Sequence, residues 1–286
     1  MLHRLLTLAR VSNLPTVWSN CLAAWFISGA EPSWRMLWLL GGASLLYAAG
    51  CTLNDAFDAK WDAQHRPERI IPSGALSRRS VWIIGLVEMA AGLALIFAGG
   101  VSAWGAPVAL AAGILLYDAW HKQSPLSVII MGACRWLLYL TAAAAAGGMM
   151  KPVMILGAVL WLYIIVLSLV ARGEAKRDSK PPQTFALLLT IPAAVFLAGL
   201  ILESRFWAPA LTAATVVQCG ITFLMPRHDA PVGQWVNRLL AAIPIVDLSL
   251  VITLTLEWWP ASSLWLSAFP AAVALSLLFQ RWFRAT

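Results

Sequence analysis

The sequence predicts an all-α, polytopic transmembrane helical bundle of nine to ten spans, and three observations predict it. Of 286 residues, 60% are hydrophobic and only 12% are charged, against about a quarter charged in a water-soluble domain. Apolar runs of roughly 17 to 23 residues recur along the whole length, each long enough at ~1.5 Å per residue to cross a hydrocarbon core of ~30 Å. Lys and Arg, finally, gather in alternate loops. Spanning β-strands would alternate apolar and polar residues over about ten positions, and 108–116 and 153–170 do not alternate.

In order, the spans are expected near 12–30, 36–53, 80–99, 103–120, 126–148, 152–171, 183–202, 206–225, 236–256 and 261–280. The first fifteen residues carry Arg4, Arg10 and Pro15 but no small-residue cleavage site, so they read as the cytoplasmic lead into the first helix and not as a cleaved signal. With that end inside, sixteen of the twenty Lys and Arg are cytoplasmic, and only Arg35, Lys151 and Arg205 face out. Arg135 is the remaining cation, within the fifth span. Ten spans keep Arg281 and Arg284 inside; nine result if the segment around Pro244 and Asp247 is irregular or re-entrant. The longest polar stretch, 54–80, is too short for a soluble domain, so residues 1–286 read as one transmembrane domain.

The net charge of +7 belongs to membrane loops, where inside-positive topology and lipid headgroups account for it, so membrane lipid is an expected partner and nucleic acid is not. Trp34, Trp61, Trp104, Trp120, Trp207, Trp258, Trp259 and Trp282 stand near span ends, as interfacial anchors do. Cys21, Cys51, Cys134 and Cys219 are far apart in apolar runs and read as buried free thiols. The four histidines show no metal spacing, and no glycine-rich phosphate loop or nucleophile elbow is present.

Chemistry is concentrated in CTLNDAFDAKWDAQHRPERIIPSGALSRRS, which continues directly from the second span. Asn54, Asp58 and Asp62 stand at i, i+4 and i+8 and share one helix face. Asp55 lies about 100° away and is expected behind them. Two carboxylates and an amide aimed into a membrane bundle repel unless a cation lies between them, and hard oxygen ligands of this kind suit Mg²⁺. Arg66 and Arg69 follow at the same membrane edge. Acidic and basic groups so interleaved suit a diphosphate, whose oxygens bind Mg²⁺ and accept guanidinium hydrogen bonds.

Three further segments are expected on this side. Glu174 and Asp178, four apart and flanked by Arg172, Lys176, Arg177 and Lys180, are either a second metal anchor or an ordinary charged loop. In LLYDAWHKQSPLS, Lys122 is placed to neutralise a leaving phosphate, and Tyr117 and Asp118 to line a pocket. Arg10 and Asn13 close the ring from the N-terminal side, and Arg135 needs a partner, a loop acid or the substrate.

The run NDAFDAKWD, followed by two arginines and the Pro72–Gly74 turn, resembles the NDxxDxxxD signature of the UbiA superfamily of intramembrane prenyltransferases. The similarity extends to Arg10 and Asn13, to Tyr117 and Lys122, and in spacing to the loop after the sixth span. RVSNLPTVWSN and CTLNDAFDAKWDAQHRPERIIPSG look more like the EboC-type branch of bacterial proteins, for which a quinone substrate is not assumed.

The resemblance implies a central cavity in which Asn54, Asp58 and Asp62, with Glu174 and Asp178, hold Mg²⁺ against an isoprenyl diphosphate. Arg66, Arg69, Lys122 and Arg10 would bind the diphosphate, with Asp58, Asp62 and Lys122 catalytic. A prenyl group would pass to an aromatic or other lipid-soluble acceptor, in a bacterial inner membrane with the site cytoplasmic. Against the family pattern, the second motif offers only Glu174 and Asp178 instead of a run of aspartates, and the arginines after Asp62 stand closer than in quinone-pathway enzymes. That weak second motif suits the alternative, a binding or transport protein for a lipid or aromatic metabolite without full transferase activity.

Overall fold

The computed structural model describes residues 6–174, 187–226, 230–258 and 263–282, and among these it contains helices and turns but no strand. Ten of its helices follow the predicted spans in order: α1 (Leu14–Ile27), α2 (Arg35–His65), α3 (Arg78–Ala98), α4 (Gly105–Trp120), α5 (Ser127–Ala146), α6 (Met150–Glu174), α7 (Thr190–Leu202), α8 (Trp207–Leu224), α9 (Val232–Trp258) and α10 (Ala268–Trp282). Six of them, α2, α3, α5, α6, α8 and α9, are individually long and apolar enough to cross a membrane, while α4 and the segment ending in α7 are apolar but shorter.

Pro15 sits in the first turn of α1, where its missing N–H would have no helical partner in any case. The irregularity considered at Pro244 is not found: α9 runs through it unbroken. Proline at 244 leaves the carbonyl of Leu240 without its helical donor, and beside it the Tyr163 hydroxyl donates to the Leu239 carbonyl at 2.7 Å. Helix α6 thus bonds α9 one residue before the freed carbonyl.

Sequential helices pack as neighbours, and α9 and α10 return to pack against α1. Helix α1 is the most enclosed, with Val17, Cys21, Ala23, Ala24 and Trp25 no more than 1% exposed. The outward faces carry Leu37, Ile83, Val87, Leu116, Ile201 and Phe223, apolar side chains left for lipid.

Helices α2 and α3 cross backbone to backbone. A methyl group on Gly42 would lie 2.7 Å from the Gly92 carbonyl oxygen, and one on Gly92 would lie 2.9 Å from that of Gly42. The link between them folds back on α2, because Ile70, Ile71 and Leu76 pack against Leu8, Ala56, Val81 and Trp82. Arg78 Nε donates to the Ala56 carbonyl at 3.0 Å, and Gly74, at φ +73°, supplies the left-handed turn.

The crossing can be tested by overpacking. Gly42→Val should lower the unfolding midpoint in detergent, at a cost of about 1–3 kcal/mol. Gly41→Val, whose new methyl would meet Leu95 at an ordinary 3.5 Å, should leave it nearly unchanged.

Candidate active site

The last three turns of α2 carry the oxygen-rich face, and the fold assigns its members different neighbours. Asn54 donates through Nδ2 to Asp118 Oδ1 of α4 at 3.1 Å and accepts at Oδ1 from Arg10 Nη2 at 3.4 Å. Asp58 Oδ2 lies 3.0 Å from Lys122 Nζ and 3.4 Å from His121 Nε2. Asp62 is 3% exposed, and its carboxylate has no hydrogen-bond or ion-pair partner among the described residues. Asp55, off the stripe as expected, accepts from Arg69 Nη1 at 2.8 Å and lies 3.6 Å from Arg10 Nη2.

These cations arrive by three routes. Arg69 comes from the folded-back link after α2. Lys122 and His121 follow the end of α4, where Tyr117 stacks on His121 with ring centroids 5.1 Å apart. Arg10 comes from the N-terminal side in a left-handed conformation, φ 44° and ψ 51°, the one non-glycine residue with positive φ among the described residues. The helical turn that follows brings Asn13 Nδ2 within 3.1 Å of the Tyr47 hydroxyl.

Trp61 is a platform on the exposed side of the site. Lys122 Nζ stands 3.6 Å from its ring centroid, and His65 stacks on it at 4.1 Å. Arg66, expected with the diphosphate cations, also stands over Trp61, at 5.8 Å, and forms no ion pair with the stripe. Arg172 at the end of α6 donates to Ser127 Oγ at 2.7 Å and to the Ser124 carbonyl at 3.0 Å, pinning the loop that carries Lys122. The other proposed anchor, Glu174 with Asp178, falls outside the described side chains.

No group of three His, Cys, Asp or Glu residues comes together as a metal site among the described residues. Asp58 is instead met by Lys122 and His121, and Asp55 by arginines. The donor set nevertheless fits a hard cation: Asn54 Oδ1, Asp58 and Asp62 share a helix face, the Asp62 carboxylate has no partner among the described residues, and Asp118 Oδ2 is buried without one.

Arg135 departs from expectation. Its described partners are neither loop acids nor any carboxylate but neutral oxygens of α1, Asn20 Oδ1 at 2.7 Å and Thr16 Oγ1 at 3.3 Å. The same Asn20 donates to both oxygens of the fully buried Asp247, at 2.8 and 3.0 Å, and Ser19 and Tyr139 hydroxyls donate at 2.5 and 2.6 Å. An amide thus separates the cation from the anion, because α1 lies between α5 and α9. Sequence reasoning missed Ser19 and Asn20, although their polar pair inside an apolar span was a signal, and it missed His121 and Trp61 as contacts of Asp58 and Lys122. It also passed over Glu88 at the centre of α3, whose Oε2 is buried and whose side chain faces Thr52.

A family model described as the UbiA prenyltransferase family matches residues 13–232. Over 151 residues the chain is 28% identical to a 4-hydroxybenzoate octaprenyltransferase of Pectobacterium atrosepticum, covering 48% of this chain and 49% of that one. Over 229 residues it is 29% identical to a digeranylgeranylglyceryl phosphate synthase of Methanopyrus kandleri, covering 76% of each. The chain spans between 27% and 49% of the length of three of the 4-hydroxybenzoate octaprenyltransferases that it matches. In fold it is similar to a UbiA homolog from Archaeoglobus fulgidus bound to GPP and Mg²⁺, with a TM-score of 0.61 at 14% identity over 95% of this chain and 99% of that one.

The buried network yields a prediction. Asp247→Ala leaves three donor side chains facing no acceptor and should cost on the order of 3 kcal/mol. Arg135→Gln, which keeps a donor for Asn20, should cost about 1 kcal/mol or less. Unfolding midpoints of the two variants in one detergent check the order.

Proposed function

Because the chain belongs to the UbiA prenyltransferase family, we propose that it transfers a prenyl group from an isoprenyl diphosphate to an aromatic or other lipid-soluble acceptor within the membrane, with Mg²⁺. The observation that carries this reading is the stripe of Asn54, Asp58 and Asp62 at the end of an apolar helix, with Lys122, Arg10 and Arg69 around it. Relatives with curated names act on 4-hydroxybenzoate or make digeranylgeranylglyceryl phosphate, and we leave the acceptor at the class they share, a lipid-soluble or aromatic nucleophile. The EboC-like branch and a bacterial inner-membrane location, with residues 1–286 as one domain and the site cytoplasmic, complete the proposal.

In the reaction, the carbon–oxygen bond of the allylic diphosphate breaks and pyrophosphate leaves with the electron pair. The acceptor then bonds to the allylic carbon and releases a proton. Asn54, Asp58 and Asp62 would hold Mg²⁺, which would neutralise the charge that builds on the departing diphosphate. Lys122 moves from Asp58 to that same charge, and Arg10 and Arg69, tethered to Asp55, hold the diphosphate oxygens by charge-assisted hydrogen bonds. Arg66, exposed on Trp61, meets the diphosphate as it enters. Glu174 and Asp178 would provide the second anchor.

Pyrophosphate release by the purified protein in detergent, with Mg²⁺ and allylic diphosphates of increasing chain length, tests the reading. Asp58→Ala should lower release by about 10²–10³-fold. Diphosphate binding without turnover, lost in Asp58→Ala and unchanged in Glu174→Ala, would instead identify a binding or transport protein, the reading that the sparse second acidic pair favours.

Lys122 gives a prediction with two signs. Lys122→Met should depress release at least as strongly as it weakens diphosphate binding, yet it removes the cation that competes at Asp58. Mn²⁺ should then bind the diphosphate-free protein about two- to fivefold more tightly, as expected for loss of a partly exposed ion pair worth ~0.5–1 kcal/mol. Equal or weaker Mn²⁺ binding would remove Lys122 from this role.

A further inference from the structure

Asp118 lies outside the NDAFDAKWD run, 64 residues from Asn54 in sequence, yet it is 4% exposed and in direct contact with the first residue of the stripe. Its Oδ1 accepts from Asn54 Nδ2 at 3.1 Å, while its Oδ2 is buried with no hydrogen-bond partner among the described residues. A buried carboxylate oxygen without a donor is costly to leave so, and a local role that repays the cost is to be sought.

The geometry points to Asp118 as a positioning residue that fixes the amide of Asn54 with its oxygen turned toward the cation site. This rests on the metal reading above and adds a residue to it. An amide has two nearly isosteric faces, one donating and one accepting, and its neighbours decide which way it turns. Here both neighbours demand the same orientation. The Asp118 carboxylate can only accept, so it draws Nδ2. The Arg10 guanidinium can only donate, and it faces Oδ1 at 3.4 Å on the other side.

Asn54 therefore presents an oxygen, and not an N–H, to the face that it shares with Asp58 and Asp62. In its ionised form Asp118, buried and bonded to Asn54, adds negative potential beside the stripe. Partners one step removed from a metal commonly set ligand orientation in this way, and their loss weakens metal binding by about 10–100-fold.

Replacing Asp118 by Asn removes the instruction. An amide at 118 serves Asn54 in either orientation, so the preference passes to Arg10 alone and the negative potential is lost. Exchanging the two residues makes it unnecessary: with Asn54→Asp and Asp118→Asn together, the carboxylate at 54 presents an oxygen whichever way it turns, the amide at 118 donates to it, and the total charge is unchanged.

The test is a Mn²⁺ titration of the purified full chain in detergent, reading free Mn²⁺ by its electron paramagnetic resonance signal, beside the unfolding midpoint of the metal-free protein. D118N is expected to weaken Mn²⁺ binding about tenfold with little change in the midpoint. The N54D/D118N protein is expected to regain most of the lost affinity, because a carboxylate at 54 needs no orienting partner. Unchanged Mn²⁺ affinity in D118N, whether or not the midpoint falls, would reduce Asp118 to packing and overturn the proposal. A loss in D118N that persists in the exchanged protein would overturn it too, since Asp118 would then not act through Asn54. If the parent protein binds no Mn²⁺, the metal reading itself fails, an outcome distinct from the other two.

Discussion

The site exists where it does because α2 is longer than a membrane is thick. Its 31 residues span about 46 Å at ~1.5 Å each, against a hydrocarbon core of ~30 Å. Roughly a third of the helix must stand outside the hydrocarbon, and the polar third is 54–65. Had the same acids been set one or two turns deeper, each would need a permanent partner, because an unpaired charge at the bilayer centre is expensive. At the edge they can face cations that come and go. Helix α4, with 16 residues and about 24 Å of length, brings Asp118 level with Asn54 and lets His121 and Lys122 close over Asp58.

Two kinds of charge compensation follow from depth. At the edge, Asp58 and Asp55 meet Lys122, His121, Arg69 and Arg10 directly, in partly exposed pairs that are individually weak. In the interior, Asp247 is wrapped by Ser19, Asn20 and Tyr139, and Arg135 is separated from it by the Asn20 amide. The deep network ties α1, α5 and α9 together through buried hydrogen bonds, which makes it a fixed frame. On the proposed function a diphosphate and a divalent cation would replace the edge pairs, because both bring more charge than a lysine or a carboxylate offers. Rigid interior and exchangeable rim thus arise from one rule, the cost of charge in a low-dielectric medium.

The stripe was legible because helical geometry is local: spacing of four residues places Asn54, Asp58 and Asp62 on one face whatever the rest of the chain does. The helix order was legible for the same reason, since apolar length and loop cations are properties of short windows. The pairings were not. Asp55 meets Arg69 only because Ile70, Ile71 and Leu76 find apolar partners and fold the link back. Arg135 and Asp247 are joined through Asn20, which is 115 residues from one and 227 from the other. Glu88 shows that even a conspicuous charge within an apolar run carries no address until the helices are packed.

Arg10 shows how one strained residue joins the two depths. A left-handed backbone costs a non-glycine residue on the order of 1 kcal/mol, and such conformations persist where surrounding structure over-determines them. Here the turn at Arg10 redirects the chain so that its own guanidinium reaches Asn54 and Asp55 at the rim, while Asn13, just before α1, reaches Tyr47 of α2. Tyr47 is seven residues before Asn54, two turns of α2 and about 10 Å deeper on nearly the same face. The ring of Tyr47 in turn lies 5.7 Å from the Arg135 guanidinium, the outermost member of the buried network. A single strained residue therefore fixes the register between the exchangeable rim and the permanent frame. An extended backbone at position 10 would send the guanidinium away from Asn54, and the amide that both Arg10 and Asp118 orient would lose one of the two neighbours that agree on its direction.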